Sequence, residues 1–125
     1  MFQRFVAILL LCAGLALPGS ARAAEVSAAE VMTGWYRLIL ELVRHTPSYP
    51  PPVAARAFGY LGVTVWEVEA ATSGRGDTLA GQLNGLSPRP ELSAGLDPAI
   101  AMQGAMARAV PYFFGNTGPT GQRAM

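Results

Sequence analysis

The sequence predicts an all-α fold of four to five helices. Three observations predict it. Apolar residues recur at helical spacing in two long segments, Val31, Trp35, Leu38 and Leu42 in one and Phe58, Leu61, Val65 and Val68 in the other. Helix starts are marked at Ser27-Ala28-Ala29-Glu30 and at Asp97-Pro98. No segment shows the period-two alternation of a half-buried strand, and no internal repeat is present.

The first 23 residues read as a secretory signal peptide. Arg4 supplies a short positive n-region, Phe5 to Leu17 is an apolar run, and Ala21-Arg22-Ala23 fits an A-x-A cleavage site. The run is shorter than the roughly 20 apolar residues that a spanning helix needs. Cys12 does not fit a lipobox, because Leu11 precedes it and apolar residues continue after it. Cleavage leaves residues 24–125, exported to a periplasmic or extracellular compartment and without a membrane span. Cys12 is the only cysteine, so the mature chain has no disulfide or thiol chemistry, although its compartment permits both. A chain of this length makes one small domain with a thin stability margin. The sequence contains no Lys and nine Arg; Arg4 and Arg22 leave with the signal, so seven Arg face eight Asp plus Glu. That balance excludes the basic stripe of a nucleic-acid-binding protein.

Helix one is predicted over 28–45. Ser27 and Glu30 form a capping box at its start, and Pro47 disfavours helical geometry at Thr46. His45 falls in its last turn, where the helix dipole favours it. Pro50-Pro51-Pro52 is a stiff connector whose last prolines open helix two, over 51–71. Gly59 and Gly62 lie within one turn of that helix and imply close approach by another backbone, since each Gly costs a helix about 1 kcal/mol relative to Ala. Glu67 and Glu69 near its end oppose the macrodipole and call for partners or water. They project about 200° apart, which is not the arrangement of a catalytic carboxylate pair. Arg56 is open to two readings: an anion ligand, as Arg often is, or a structural partner of a carboxylate or of helix-end carbonyls. Trp35, Tyr36, Tyr60 and Trp66 read as core or rim residues.

A loop follows from Thr72 to Asp77. Thr78 to Leu86 reads as a short helix capped by Asp77, with Leu79, Leu83 and Leu86 on one side. Ser87 to Gly95 is an irregular connector. A further helix spans 98–110, with Ile100, Met102, Met106 and Val110 as apolar positions, and Pro111 kinks or ends it. Pro119 opens a last helix. Catalysis needs a nucleophile, a base or a metal set, and the mature chain has one His and no Cys. No catalytic, cofactor-binding or metal residue is assigned.

Three stretches carry a resemblance: "PPPVAARAFGYLGVTVWEVE", "LAGQLNGL" and "FFGNTGPTGQRAM". Residues 34–125 resemble the N-terminal helical region of bacterial vanadium-dependent haloperoxidases, in the type 2 phosphatidic acid phosphatase superfamily. The segment Thr78 to Asn84 is its most specific part. The family holds its oxyanion with K-x6-RP, PSGH and SR-x5-H motifs. Here Arg89-Pro90 offers an RP, but Gln82 stands where the motif places Lys, and Ser73-Gly74 is followed by Arg75 rather than His. The resemblance therefore implies the N-terminal part of a larger helical bundle, its catalytic part absent. Vanadate is implied only for the intact parent, which would oxidise halide with peroxide or hydrolyse a phosphate ester. The partner implied is the missing C-terminal catalytic bundle, or another copy through an exposed apolar face including Phe58, Leu61, Val65 and the two glycines. The alternative is a free-standing exported helical binding protein.

Overall fold

A computed structural model describes residues 25–90, 92 and 95–125; the signal-peptide reading, with Cys12, lies outside the described residues. Four helices follow one another: α1 (Ala28–His45), α2 (Pro51–Thr72), α3 (Pro98–Phe114) and α4 (Pro119–Ala124). Among the described residues there is no strand, only an isolated bridge between Ala80 and Leu83. The all-α prediction holds. No helix among these residues is long and apolar enough to cross a membrane.

α1 begins where its capping box places it. The Ser27 hydroxyl accepts from the Glu30 amide at 3.2 Å, and Glu30 Oε2 accepts from the Ser27 amide at 2.8 Å. Those bonds satisfy amides that the first turn otherwise leaves unpaired. The helix ends at Thr46, held extended (φ −110°, ψ 104°) ahead of Pro47. α2 starts on Pro51 and Pro52, whose fixed φ suits a first turn. α3 starts on Asp97, whose Oδ1 accepts from the amides of Ala99 (2.8 Å) and Ile100 (3.0 Å).

α3 is the central helix, with α1 and α2 both packed on it and α4 resting against α1. Met102, Met106, Val110 and Phe114 form one stripe along α3 at four-residue spacing, and all are buried. They meet Trp35, Ile39 and Leu42 from α1 and Ala57 and Leu61 from α2. Fully burying a side chain of Leu or Phe size contributes about 1.5–3 kcal/mol.

The structure corrects three expectations. First, α3 continues through Pro111 to Phe114 rather than ending near 110. Proline removes one helical hydrogen bond, but the turn beyond it is held by packing. Phe114 is fully buried, its ring stacks on Tyr49 with centroids 4.5 Å apart, and the Tyr49 hydroxyl donates to the Phe113 carbonyl.

Second, 78–86 is not a helix. Gly81 and Gly85 take left-handed φ values of +82° and +81°, and the chain makes successive turns. The amides of Gln82 and Leu83 donate to Leu79 O at 2.9 and 3.0 Å, and Leu86 N donates to Leu83 O at 3.2 Å. Residues in that conformation cannot continue a right-handed helix.

Third, Leu61 does not await cover. It is fully buried within the core formed with α1 and α3, and Phe58 and Val65 pack against the same core. What stays open on α2 lies away from that packed stripe. A Cβ at Gly59 or Gly62 would meet nothing within 4 Å, so the close backbone approach that these glycines imply is not made among the described residues.

Candidate functional site

Two regions of α2 concentrate the chemistry that the sequence singles out. The first is its C-terminal half, where the loop after the helix folds back and is moored by adjacent side chains. Trp66 Nε1 donates to the Asp77 carbonyl at 2.9 Å. The indole lies so close to Gly76 (φ +80°) that a Cβ there would sit 2.7 Å from the ring carbon Cζ2. On the other side, Glu67 takes three donors. Its Oε1 accepts from the Leu79 amide at 2.6 Å, and its Oε2 accepts from the Thr78 hydroxyl at 2.8 Å and from Arg89 Nη1 at 3.1 Å.

The Glu67 side chain is only 16% exposed. The Leu79 amide, aided by Thr78 and Arg89, holds its carboxyl below the ordinary carboxylate value, against a partial desolvation that pushes it up. The partners that Glu67 calls for near a helix C-terminus are thus loop donors. Glu69 is not brought to this cluster; its carbonyl receives Ser73, from the amide at 2.9 Å and the hydroxyl at 2.7 Å.

This mooring accounts for the "LAGQLN" segment. Thr78 and Leu79 are fixed by Glu67, Ala80 N donates to the Thr78 hydroxyl at 3.1 Å, and Gln82 Nε2 donates to Thr78 O at 2.8 Å. Arg89, the arginine of the RP pair, spends its contact on Glu67. Between the loop and α2 lies a hollow of about 350 Å³, walled by Val63, Val68, Leu86 and Leu92 with the Glu67–Arg89 pair at its edge.

The second region is the N-terminal half of the outer face of α2. Gly59 is exposed there, and Val53 and Tyr60 are exposed on the flank, Tyr60 on the side toward α3. The Tyr60 ring stacks on Phe113 of α3 at 5.8 Å, and Phe113 meets Tyr112 edge-on at 5.2 Å, with Tyr112 83% exposed. Arg56 also lies exposed on α2, and none of the hydrogen bonds or ion pairs found among the described residues involves it.

His45 sits where helix one places it, at the exposed end of α1. Its Nε2 is 3.4 Å from Glu41 Oε2, and Arg44 Nη1 is 3.5 Å from Glu41 Oε1. Exposed pairs of this kind contribute little. Glu41 and His45 border a groove of about 460 Å³ between α1 and α4. No group of three or more His, Cys, Asp or Glu among the described residues is placed to hold a metal ion.

The aromatic residues fall as core and rim. Trp35 is buried with its Nε1 donating to Gln103 Oε1 at 2.9 Å, Tyr36 stacks on Phe58 at 6.0 Å, and Tyr60 and Trp66 are exposed at the edge.

One feature that sequence reasoning missed is a clasp between the α1–α2 turn and the turn after α3. The buried Thr46 hydroxyl donates to Thr117 Oγ1 at 3.0 Å, and Asn116 Nδ2 donates to Ser48 Oγ at 2.6 Å. Tyr49 completes it on Phe113 and Phe114, and burial pushes its phenol pKa up, which keeps the donating proton in place.

No protein-family model, curated protein or solved structure matches this chain.

Proposed function

We propose that the chain is the non-catalytic N-terminal helical region of an exported vanadium-dependent haloperoxidase or related acid phosphatase. In this reading it docks the catalytic bundle on the outer face of α2. One observation carries the docking part. Gly59 and Gly62 have open space where a Cβ would stand, in the middle of a helix that also leaves Val53 and Tyr60 exposed elsewhere on its surface. Two interior glycines weaken a helix without return unless another backbone comes close, and exposed apolar side chains on the same helix would add burial to such a contact. The family part rests on the resemblance of the Pro-Ala-Arg helix and the "LAGQLN" segment. Vanadate and the oxyanion motifs belong to the partner bundle in this reading, not to Gln82, Arg89 or His45.

A second reading is favoured by a different observation. Nine residues from three helices already close a core within this chain, as a free-standing exported binding protein requires. Reading the coding DNA beyond Met125 in all three frames separates the two. K-x6-RP, PSGH and SR-x5-H motifs at bundle spacing are expected; their absence in every frame removes the haloperoxidase reading and leaves the free-standing one.

A further inference from the structure

The sequence contains two asparagines, and the fold treats them oppositely. Asn116 is held by its side chain, which donates to Ser48 Oγ at 2.6 Å, and it is followed by the β-branched, buried Thr117. Asn84 is exposed, makes no side-chain hydrogen bond among the described residues, and is followed by exposed Gly85. These two residues are the centre of the turn closed by Leu86 N on Leu83 O at 3.2 Å, with Gly85 at φ +81°. A left-handed central position of this kind selects glycine. It also places a nitrogen with no adjacent side chain next to a free carboxamide, and the Gly85 amide donates to no backbone carbonyl among the described residues.

We propose that Asn84-Gly85 is a site of spontaneous deamidation in the folded protein, proceeding through a cyclic imide. The Gly85 backbone nitrogen attacks Cγ of Asn84. The new C–N bond closes a five-membered ring as the Cγ–Nδ2 bond breaks, and the side-chain nitrogen takes the Gly85 proton and leaves as ammonia. Water then adds across either imide carbonyl, giving aspartate or isoaspartate at position 84. No oxidation or reduction occurs. The product carries a new negative charge in the loop that Glu67 moors. The isoaspartyl form adds a methylene to the main chain inside the Leu83–Leu86 turn, which breaks its closing hydrogen bond.

The test is incubation of the intact mature chain at mildly alkaline pH, followed by peptide mapping that separates aspartate from isoaspartate. A synthetic peptide for each asparagine runs in parallel. Asn84 is expected to convert in the folded chain nearly as fast as in its peptide, with both products formed, while Asn116 is strongly protected relative to its own peptide. Gly85→Ala is expected to slow conversion at 84, because the new methyl crowds the attacking nitrogen, and Asn84→Gln to abolish it. Protection of Asn84 equal to that of Asn116 would overturn the proposal. So would aspartate without isoaspartate, or an unchanged rate in Gly85→Ala, since both mean direct hydrolysis.

Discussion

Replacing both glycines of α2 with alanine tests whether its outer face is open in this chain and occupied in a larger assembly. Each position is interior to a 22-residue helix, and a Cβ at either meets nothing within 4 Å. With no steric term to set against it, helix propensity decides the sign, and Gly→Ala stabilises a helix interior by about 1 kcal/mol. Part of that gain comes from restricting the unfolded chain. The Gly59→Ala/Gly62→Ala variant of isolated residues 24–125 is therefore expected to gain about 2 kcal/mol, an upward Tm shift on the order of 10 °C for a domain of this size. Thermal unfolding by circular dichroism measures it, with sedimentation on the same samples to confirm equal oligomeric state. Where another helix backbone seats on the same face, the two methyls overpack the contact, and each costs about 1–3 kcal/mol of association. The sign should thus invert between the isolated chain and the docked or self-associated form. An isolated monomeric variant that is neutral or destabilised would refute the open-face reasoning. A variant that is stabilised alone and docks its partner as tightly as the wild type would refute the docking reading.

Glu67→Gln is expected to release the loop without unfolding the core: the Leu79 amide loses a charged acceptor worth about 1.5–3 kcal/mol, and its hydrogen exchange should accelerate by one to two orders of magnitude. Acid should do the same to the native chain. Because the folded-state pKa of Glu67 lies below its ordinary 4.5, the tether is fully present above that pH and is lost as pH falls through the lowered value; Leu79 protection that is flat across this window would contradict the assignment. Phe114→Ala should destabilise by about 3–5 kcal/mol in chemical denaturation, since it opens a fully buried position beyond Pro111 and removes the Tyr49 stack; a loss under 1 kcal/mol would mean that the last turn of α3 is not held by packing. N-terminal sequencing of protein recovered outside the cytoplasm should begin at Ala24, and finding Met1 on exported protein would refute the signal-peptide reading.

Features written in adjacent residues were legible. The Ser27/Glu30 box and the Asp97-Pro98 start satisfy amides within three positions, so no knowledge of the fold is needed to place them. The α3 stripe of Met102, Met106 and Val110 was legible for the same reason, whereas Ile100, read with them, is 66% exposed. Reading failed where a distant partner decides. Leu79, Leu83 and Leu86 fit a helical period, but the Leu79 amide is claimed by Glu67, twelve residues earlier, and two glycines take the left-handed region instead. Pro111 signals a helix end on local grounds, yet Tyr49, more than sixty residues away in sequence, holds the turn beyond it. The need for a partner at Glu67 was visible from the dipole alone, while the identity of that partner was not: Thr78, Leu79 and Arg89 are loop positions with no periodic signature. The Thr46–Thr117 clasp was invisible because two threonines in turns look like ordinary loop polarity.

The two regions of α2 share one helix, and this links them physically. Along the C-terminal half of the outer face, the returning loop is held down by Trp66 and Glu67, and Ala70 is buried there. Along the N-terminal half, Val53, Gly59 and Tyr60 have no such cover. A helix with mean composition this apolar and so few charges gains from being enclosed on more than one side. In the docking reading, the loop does for one half of the helix what the bundle does for the other, and the edge of the loop marks where the docked surface stops. Releasing the loop at Glu67 should then lengthen the exposed apolar strip rather than leave it unchanged. Glu67→Gln would therefore raise ANS binding by the isolated chain, while Gly59→Ala would not. If both variants left ANS binding at the wild-type level, the loop would not be covering apolar surface, and the shared-enclosure account of α2 would fall.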